Sequence, residues 1–302
     1  MMIKKLIKIL KYMLAATLLV LTVAAIYVEE KILPFTAIVP LRQSIDALPS
    51  VYGLKADSID VLSIGDVHLK GFFVHANHPK AKATILLLHG IGSCKEEYLP
   101  LAKDLADRGY NTALFDQRAH GKSGGKYCTY GWYEKMDVSK IIDTIQPIDA
   151  QCPIGIFGCS LGGAIALQSL AYDKRIRFGV IESTFNTLEN VVAQYGYNMM
   201  YLKNTWITRH ILQKSAKIAN FNPFEVQPRE SCKQITQPIF MAHGDIDENI
   251  PIAFGRDNFK ALASQDKQFI EVHGAGHFNV TEVGGAAYHE KIMRFFESHT
   301  QK

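Results

Sequence analysis

Five cysteines in 302 residues are too few to scaffold a disulfide-stabilised domain. No metal-ligand signature such as His-Glu-x-x-His occurs, which disfavours a metal hydrolase. A basic face is also missing. The formal net charge is +4, and Lys4, Lys5, Lys8 and Lys11 carry all of it, so residues 12–302 are formally neutral. That argues against a nucleic-acid footprint on the folded part. No internal repeat or low-complexity tract is visible. At 48% hydrophobic and 21% charged, the chain can bury one large core or two small ones.

The longest uncharged apolar run is "YMLAATLLVLTVAAIYV", residues 12–28. As a helix it spans about 25 Å at ~1.5 Å per residue, slightly short of a ~30 Å hydrocarbon core. Leu6, Ile7, Ile9 and Leu10 extend it if Lys8 and Lys11 snorkel to the headgroups. Four lysines precede the run, and Glu29, Glu30 and Lys31 follow it. Positive-inside bias then expects a cytoplasmic N-terminus, with the bulk on the outer or periplasmic side. A cleaved signal peptide is the competing reading. Its small-x-small cleavage site is poorly matched by "TVA" at residues 22–24, and the run is long for the apolar region of a signal. The expectation is an uncleaved anchor over residues 1–28. A stalk over residues 29–55 follows, broken by Pro34, Pro40 and Pro49.

From residue 56 onward, strand-like and helix-like segments alternate. "SIDVLSI" and "VHLKGFFVH" read as a strand pair, and "ATILLLH" as a strand buried on both faces. "EEYLPLAKDLADRG" spaces Tyr98, Leu101 and Leu105 helically and stops at Gly109. "YNTALFD", "PIGIFG", "RFGVIES", "QPIFMAHG" and "KQFIEVHG" are further strands. "SLGGAIALQSLAYD", "PIAFGRDNFKALAS" and "AAYHEKIMRFFESH" are helices, the second opened by Pro251. Such alternation expects a mainly parallel sheet with helices on both faces. Residues 183–237 hold no clear strand. Their Met- and aromatic-rich "VVAQYGYNMMYLKNTWITRHILQK" reads either as extra core or as a small helical cap, at about residues 185–235, with an adaptable apolar surface over a site.

Within "PIGIFGCSLGGAIAL", Gly-x-Ser-x-Gly lies between a buried strand and a helix. In so sharp a turn, side chains at positions 158 and 162 would collide with the neighbouring strand and helix, while Ser160 Oγ is lifted out of the sheet. Ser160 read blandly is a helix cap. Read chemically it is a nucleophile, which needs a base and an orienting acid. "MAHGDIDENIP" and "HGAGHFN" follow the last two strands, at the strand ends where open α/β sheets place sites. The base candidates are His277 and His273. The acid candidates are Asp247, Asp245, Glu248 and Glu182.

In their order and rough spacing, "LLLHGIG", "FDQRAHGKSGG", "GCSLGG", "HGDIDENIP" and "GAGHF" resemble the α/β-hydrolase superfamily over residues 56–302. "YCTYGWYEKMDV" is similar to its membrane-anchored bacterial esterase-like members. Ala119 departs from the glycine that many members carry in the Arg-Gly-His-Gly turn. The resemblance implies an eight-stranded, mainly parallel sheet and a Ser160–His277–Asp247 triad. It also implies an oxyanion hole from the N–H groups of Ile91 and Leu161, each donor worth ~3 kcal/mol. His89, His120 and His243 are then loop braces, and Asp245 a turn residue. The expected function is acyl transfer to water, cleaving carboxylic esters, including lipophilic ones, with no cofactor and no metal. Peptidase, amidase and acyltransferase chemistry are alternatives on the same scaffold, as is a tethered non-catalytic binding protein. The expected partners are a small-molecule or lipid ester and the membrane.

Overall fold

Strands with no polar alternation must be covered on both faces, and this chain covers them with helices. A computed structural model describes residues 2–200 and 205–300. The long apolar run opens it as helix α1 (Met2–Tyr27), which leads through a π-helical turn at Val28–Ile32 into α2 (Leu33–Thr36). The body then runs β1 (Ala56–Ser63), β2 (Val67–Val74), β3 (Thr84–Leu88), α3 (Leu99–Asp107), β4 (Asn111–Phe115), α4 (Glu134–Ile145), β5 (Ile154–Cys159), α5 (Leu161–Tyr172) and β6 (Ile176–Glu182). After these come α6 (Leu188–Met200), α7 (Thr205–Ala219), α8 (Pro228–Cys232), β7 (Ile239–Gly244), α9 (Ile252–Ala261), β8 (Lys267–Val272) and α10 (Val280–Ser298).

The eight strands form one sheet in the order β1-β2-β4-β3-β5-β6-β7-β8. The β1–β2 and β2–β4 pairings are antiparallel and all the others parallel. Every residue of β3, β4 and β7 is buried. Their side chains feed two cores. On one face Leu86, Leu88, Ile156 and Ile181 meet α4 and α5. On the other Ile85, Leu87, Phe178 and Phe240 meet α3 and α10. Removing a fully buried phenylalanine such as Phe240 from such a core costs ~4 kcal/mol.

Helix α5 is buried on all sides from Leu161 to Leu170, so it carries no amphipathic stripe. Helix α4 has the opposite character: Val138, Ile141, Ile142 and Ile145 are its buried line. That i, i+3, i+4, i+7 spacing is legible in "MDVSKIIDTI". Two boundaries also differ from expectation. Pro251 sits at the N-cap of α9 rather than inside it. Helix α10 begins before "AAYHEK" and is kinked at Gly285, where φ is +58°.

Residues 29–43 do not hang free as a stalk. Glu30 pairs with His210 and Lys214 of α7, and Ser215 Oγ donates to the Pro34 carbonyl at 2.9 Å. Cys128 N–H donates to Ile38 O at 2.8 Å, and Ile38 is 1% exposed. Arg42 donates to the carbonyls of Gly121, Ser123 and Gly125 at 3.2, 2.6 and 2.6 Å. The prolines here shape a strap held at Glu30, Pro34, Ile38 and Arg42, and an isolated sequence window does not show those partners. Of the expected cap, residues 201–204 lie outside the described residues. The loop clamped by Arg42 contains Ala119 at φ +64°, a left-handed position where glycine carries no Cβ penalty.

The turn between β5 and α5 leaves no room for side chains. A Cβ on Gly162 would lie 2.1 Å from the Leu88 carbonyl oxygen, and one on Gly158 would lie 2.3 Å from that of Gly162. Gly196, inside α6, has nothing within 4 Å. Chemical denaturation therefore separates the two: Gly162→Ala is expected to lose about 3 kcal/mol or fail to fold, while Gly196→Ala gains about 1 kcal/mol from helix propensity.

Candidate active site

Ser160 occupies φ +57°, ψ −118°, a conformation that costs a non-glycine residue ~1–3 kcal/mol and persists only when its surroundings enforce it. The enforcement is visible. Ser160 N–H donates to Glu182 O at 2.9 Å, and Thr184 Oγ1 donates to Ser160 O at 2.8 Å. The glycine contacts described above close the turn from the other side. The side chain stands at the carboxyl end of β5, and the free N–H groups of the first turn of α5 lie beside it.

Two further strand ends bring the partners. His277 follows β8, with Nε2 2.9 Å from Ser160 Oγ and Nδ1 2.8 Å from Asp247 Oδ2. This network assigns the tautomer: Nδ1–H donates to the carboxylate, and Nε2 accepts from the hydroxyl. Asp247 follows β7, and its Oδ1 accepts from the N–H groups of Asn249 and Ile250 at 3.0 and 2.8 Å. The loops after β7 and β8 meet closely, since a Cβ on Gly244 would lie 2.2 Å from the Ala275 oxygen. Burial alone would raise the Asp247 carboxyl. Hydrogen bonding from His243 and His277 and from the Ile250 N–H outweighs it and holds the carboxyl down to about 2.

The competing candidates are occupied elsewhere. His273 Nδ1 and Asp245 Oδ2 pair with each other at 3.0 Å on the surface. Glu182 accepts a hydrogen bond from Tyr288 OH. His89 Nε2 accepts from Gln117 N–H at 3.1 Å, His120 Nδ1 meets Arg118 O at 2.9 Å, and His243 Nε2 donates to Ile250 O at 2.7 Å. Each of these rings ties down a loop. Leu161 is the first residue of α5, so its N–H has no intrahelical partner. Ile91 lies in the turn after β3, and Gly90 next to it passes so near that a Cβ there would be 3.6 Å from Ser160 Cβ.

Ser160 and His277 open onto a cavity of about 690 Å³. Little of its described wall comes from the Met- and aromatic-rich cap segment. Among the described residues only Tyr195 of α6 lines it, while Met199 and Trp206 are exposed. The apolar wall comes instead from Leu101 of α3, Phe157 of β5, and Val280, Ile292 and Met293 of α10. Gln43 of the strap also reaches the cavity. Single-segment periodicity cannot assign a wall that helices far apart in the chain build together. Among the described residues no cluster of His, Cys, Asp and Glu is arranged to hold a metal ion.

Known proteins share this arrangement of elements. A family model for serine aminopeptidase, S33, matches residues 79–217. The esterase Pf2001 of Pyrococcus furiosus superposes with a TM-score of 0.72 at 23% identity, covering 86% of this chain and 99% of its own. The chain has the α/β-hydrolase fold. In sequence it is similar to the uncharacterized protein YqkD of Bacillus subtilis, 24% identical over 87% of this chain and 82% of that protein. It is also similar to the lysophosphatidylserine lipase ABHD12 of Rattus norvegicus, 24% identical over 75% of this chain and 56% of that protein.

The depressed Asp247 carboxyl fixes a sign for acid stability. A carboxyl whose folded value lies below its unfolded value of 3.8 stabilises the fold above that value, and loses the contribution as pH falls through about 2. The amount is ~2 kcal/mol at ~1.4 kcal/mol per unit. Urea melts between pH 5 and pH 2 are expected to show this loss in the native chain, and a correspondingly flatter profile in Asp247→Asn.

Proposed function

We propose that this α/β-hydrolase is a membrane-anchored serine hydrolase that cleaves carboxylic esters through a Ser160–His277–Asp247 triad. The observation that carries the reading is the continuous hydrogen-bonded chain from hydroxyl to imidazole to carboxylate, at three strand ends around one cavity. Ser160 Oγ attacks the ester carbonyl while His277 Nε2 takes its proton. The N–H groups of Leu161 and Ile91 receive the developing oxyanion. His277 then protonates the departing alkoxide, leaving an acyl-enzyme, and water repeats the sequence in the second half-reaction. Asp247 orients the ring and stabilises the imidazolium. The apolar wall from α3 and α10 supports lipophilic acyl esters, and with them a role in lipid metabolism.

Helix α1 supports the anchor: its most apolar 18 residues have a mean hydropathy of 2.2 and are unburied. The four lysines before the run support a cytoplasmic N-terminus and an outer or periplasmic catalytic domain. Amide cleavage is the second reading, favoured by the serine aminopeptidase family model over residues 79–217.

A fluorophosphonate probe is expected to label the native chain and not Ser160→Ala, whose turnover falls by roughly 10⁶-fold without loss of fold. Unchanged ester hydrolysis by that variant rejects the assignment. A p-nitrophenyl ester series is expected to rise from acetyl to medium chain lengths, and faster cleavage of aminoacyl p-nitroanilides would favour the amide reading. Deleting residues 1–28 is expected to move the protein from the membrane to the soluble fraction with its fold retained, because docking begins only at Glu30. Persistence in the membrane fraction would count against the anchor.

A further inference from the structure

The cavity beside Ser160 contains a carboxyl group that the triad does not use. Glu182 ends β6 and pairs across the ladder with Cys159, the residue before the serine. It is 4% exposed, lines the cavity, and donates nothing to the triad. Tyr288 of α10 donates to Oε1, while Oε2 has no hydrogen-bond partner among the described residues. A buried carboxylate ordinarily has a cation or several N–H donors, as Asp247 does. Glu182 has neither. Among the described residues no lysine or arginine lines this cavity, although two further carboxylates do. Among the described residues the Glu97 carboxylate accepts from Ser93 Oγ alone, at 2.6 Å. Asp104 is already matched by Arg108 and His289.

We propose that Glu182 is the anchor of a cation subsite, and that the substrate carries an ammonium or similar positively charged group seated on Glu182 Oε2 beside its apolar chain. The inference rests on the proposed function only in taking this cavity as the substrate's. Burial pushes the Glu182 carboxyl up to about 7. An arriving cation supplies the countercharge that favours the ionised form. The groups facing Glu182 stay neutral through this range: Cys159 of β5, Tyr98 from the turn before α3 and Tyr288 of α10 are all raised, chiefly by burial. An anionic headgroup, by contrast, would meet carboxylates and no cationic lysine or arginine.

n-Butylammonium and n-butanol are matched in size and differ in charge, and their binding to the full chain is read by thermal shift. The Ser160→Ala variant is used alongside the native chain, so the measurement does not depend on turnover. At pH 8 the ammonium ion is expected to bind at least tenfold more tightly than the alcohol, and to lose that advantage at pH 6 as Glu182 takes up a proton. In Glu182→Gln, which retains an acceptor for Tyr288, the advantage is expected to vanish at both pH values. Equal binding of the two compounds by the native chain overturns the proposal, and so does a charge preference that survives Glu182→Gln. A failure of fluorophosphonate labelling sinks the serine-hydrolase reading and leaves the ammonium result standing, so the two are separable.

Discussion

Backbone approaching backbone at distances that exclude a Cβ is the constraint on which this site depends. Gly162 against Leu88, Gly158 against Gly162, and Gly244 against Ala275 all fall near 2 Å for an added methyl group. The first two crush β5, β3 and the start of α5 together until Ser160 is forced to positive φ. The third draws the loop after β7 against the loop after β8, so that Asp247 and His277 share one hydrogen bond. Strain at one serine is thus sustained by the packing of an otherwise ordinary parallel sheet. The residues that hold Ser160 in place are mostly main chain, which is why side-chain identity around it says little.

Two buried carboxyls near Ser160 show how environment sets ionisation. Asp247 accepts from two backbone N–H groups and from His277, has His243 Nε2 at 3.4 Å, and ionises easily. Glu182 has a single phenol donor and burial of the same order, and ionises with difficulty. Burial is nearly equal at 5% and 4% exposure, so the count of donors decides which carboxyl is charged. A charged Asp247 is what an imidazole needs as a partner. An unsatisfied Glu182 is of no use to the imidazole and remains available to something else in the cavity.

The turn at Ser160 and the order of strands and helices were legible because each is written in contiguous residues. "PIGIFGCSLGG" carries its own strand, turn and helix start, and "ATILLLH" its own burial. His277 and Asp247 required the further knowledge that strand ends β7 and β8 adjoin, which the superfamily resemblance supplied. The structure puts both within hydrogen-bonding distance of the chain that includes Ser160, and pairs the rejected His273 with the rejected Asp245. What escaped is non-local. Glu182 meets Tyr288 across 106 positions, and no window of sequence contains both. Helix α4 was the exception, since its apolar spacing was present and went unread.

The strap is the part that a residue-by-residue reading most misjudged, and it changes how the molecule is put together. Prolines at 34, 40 and 49 suggested a spacer that isolates the body from the apolar helix. Instead Glu30 grips α7, Ile38 enters the core, and Arg42 gathers three carbonyls of the loop that carries Ala119. The next residue, Gln43, already lines the cavity. Fifteen residues, 28–42, therefore separate the end of the apolar helix from the wall of the cavity, and Glu30, Pro34, Ile38 and Arg42 among them are tied to the body. A segment docked at both ends transmits orientation where a free tether transmits only proximity. The position of the strap against the body is then fixed by these contacts, with Gln43 on the wall of the cavity.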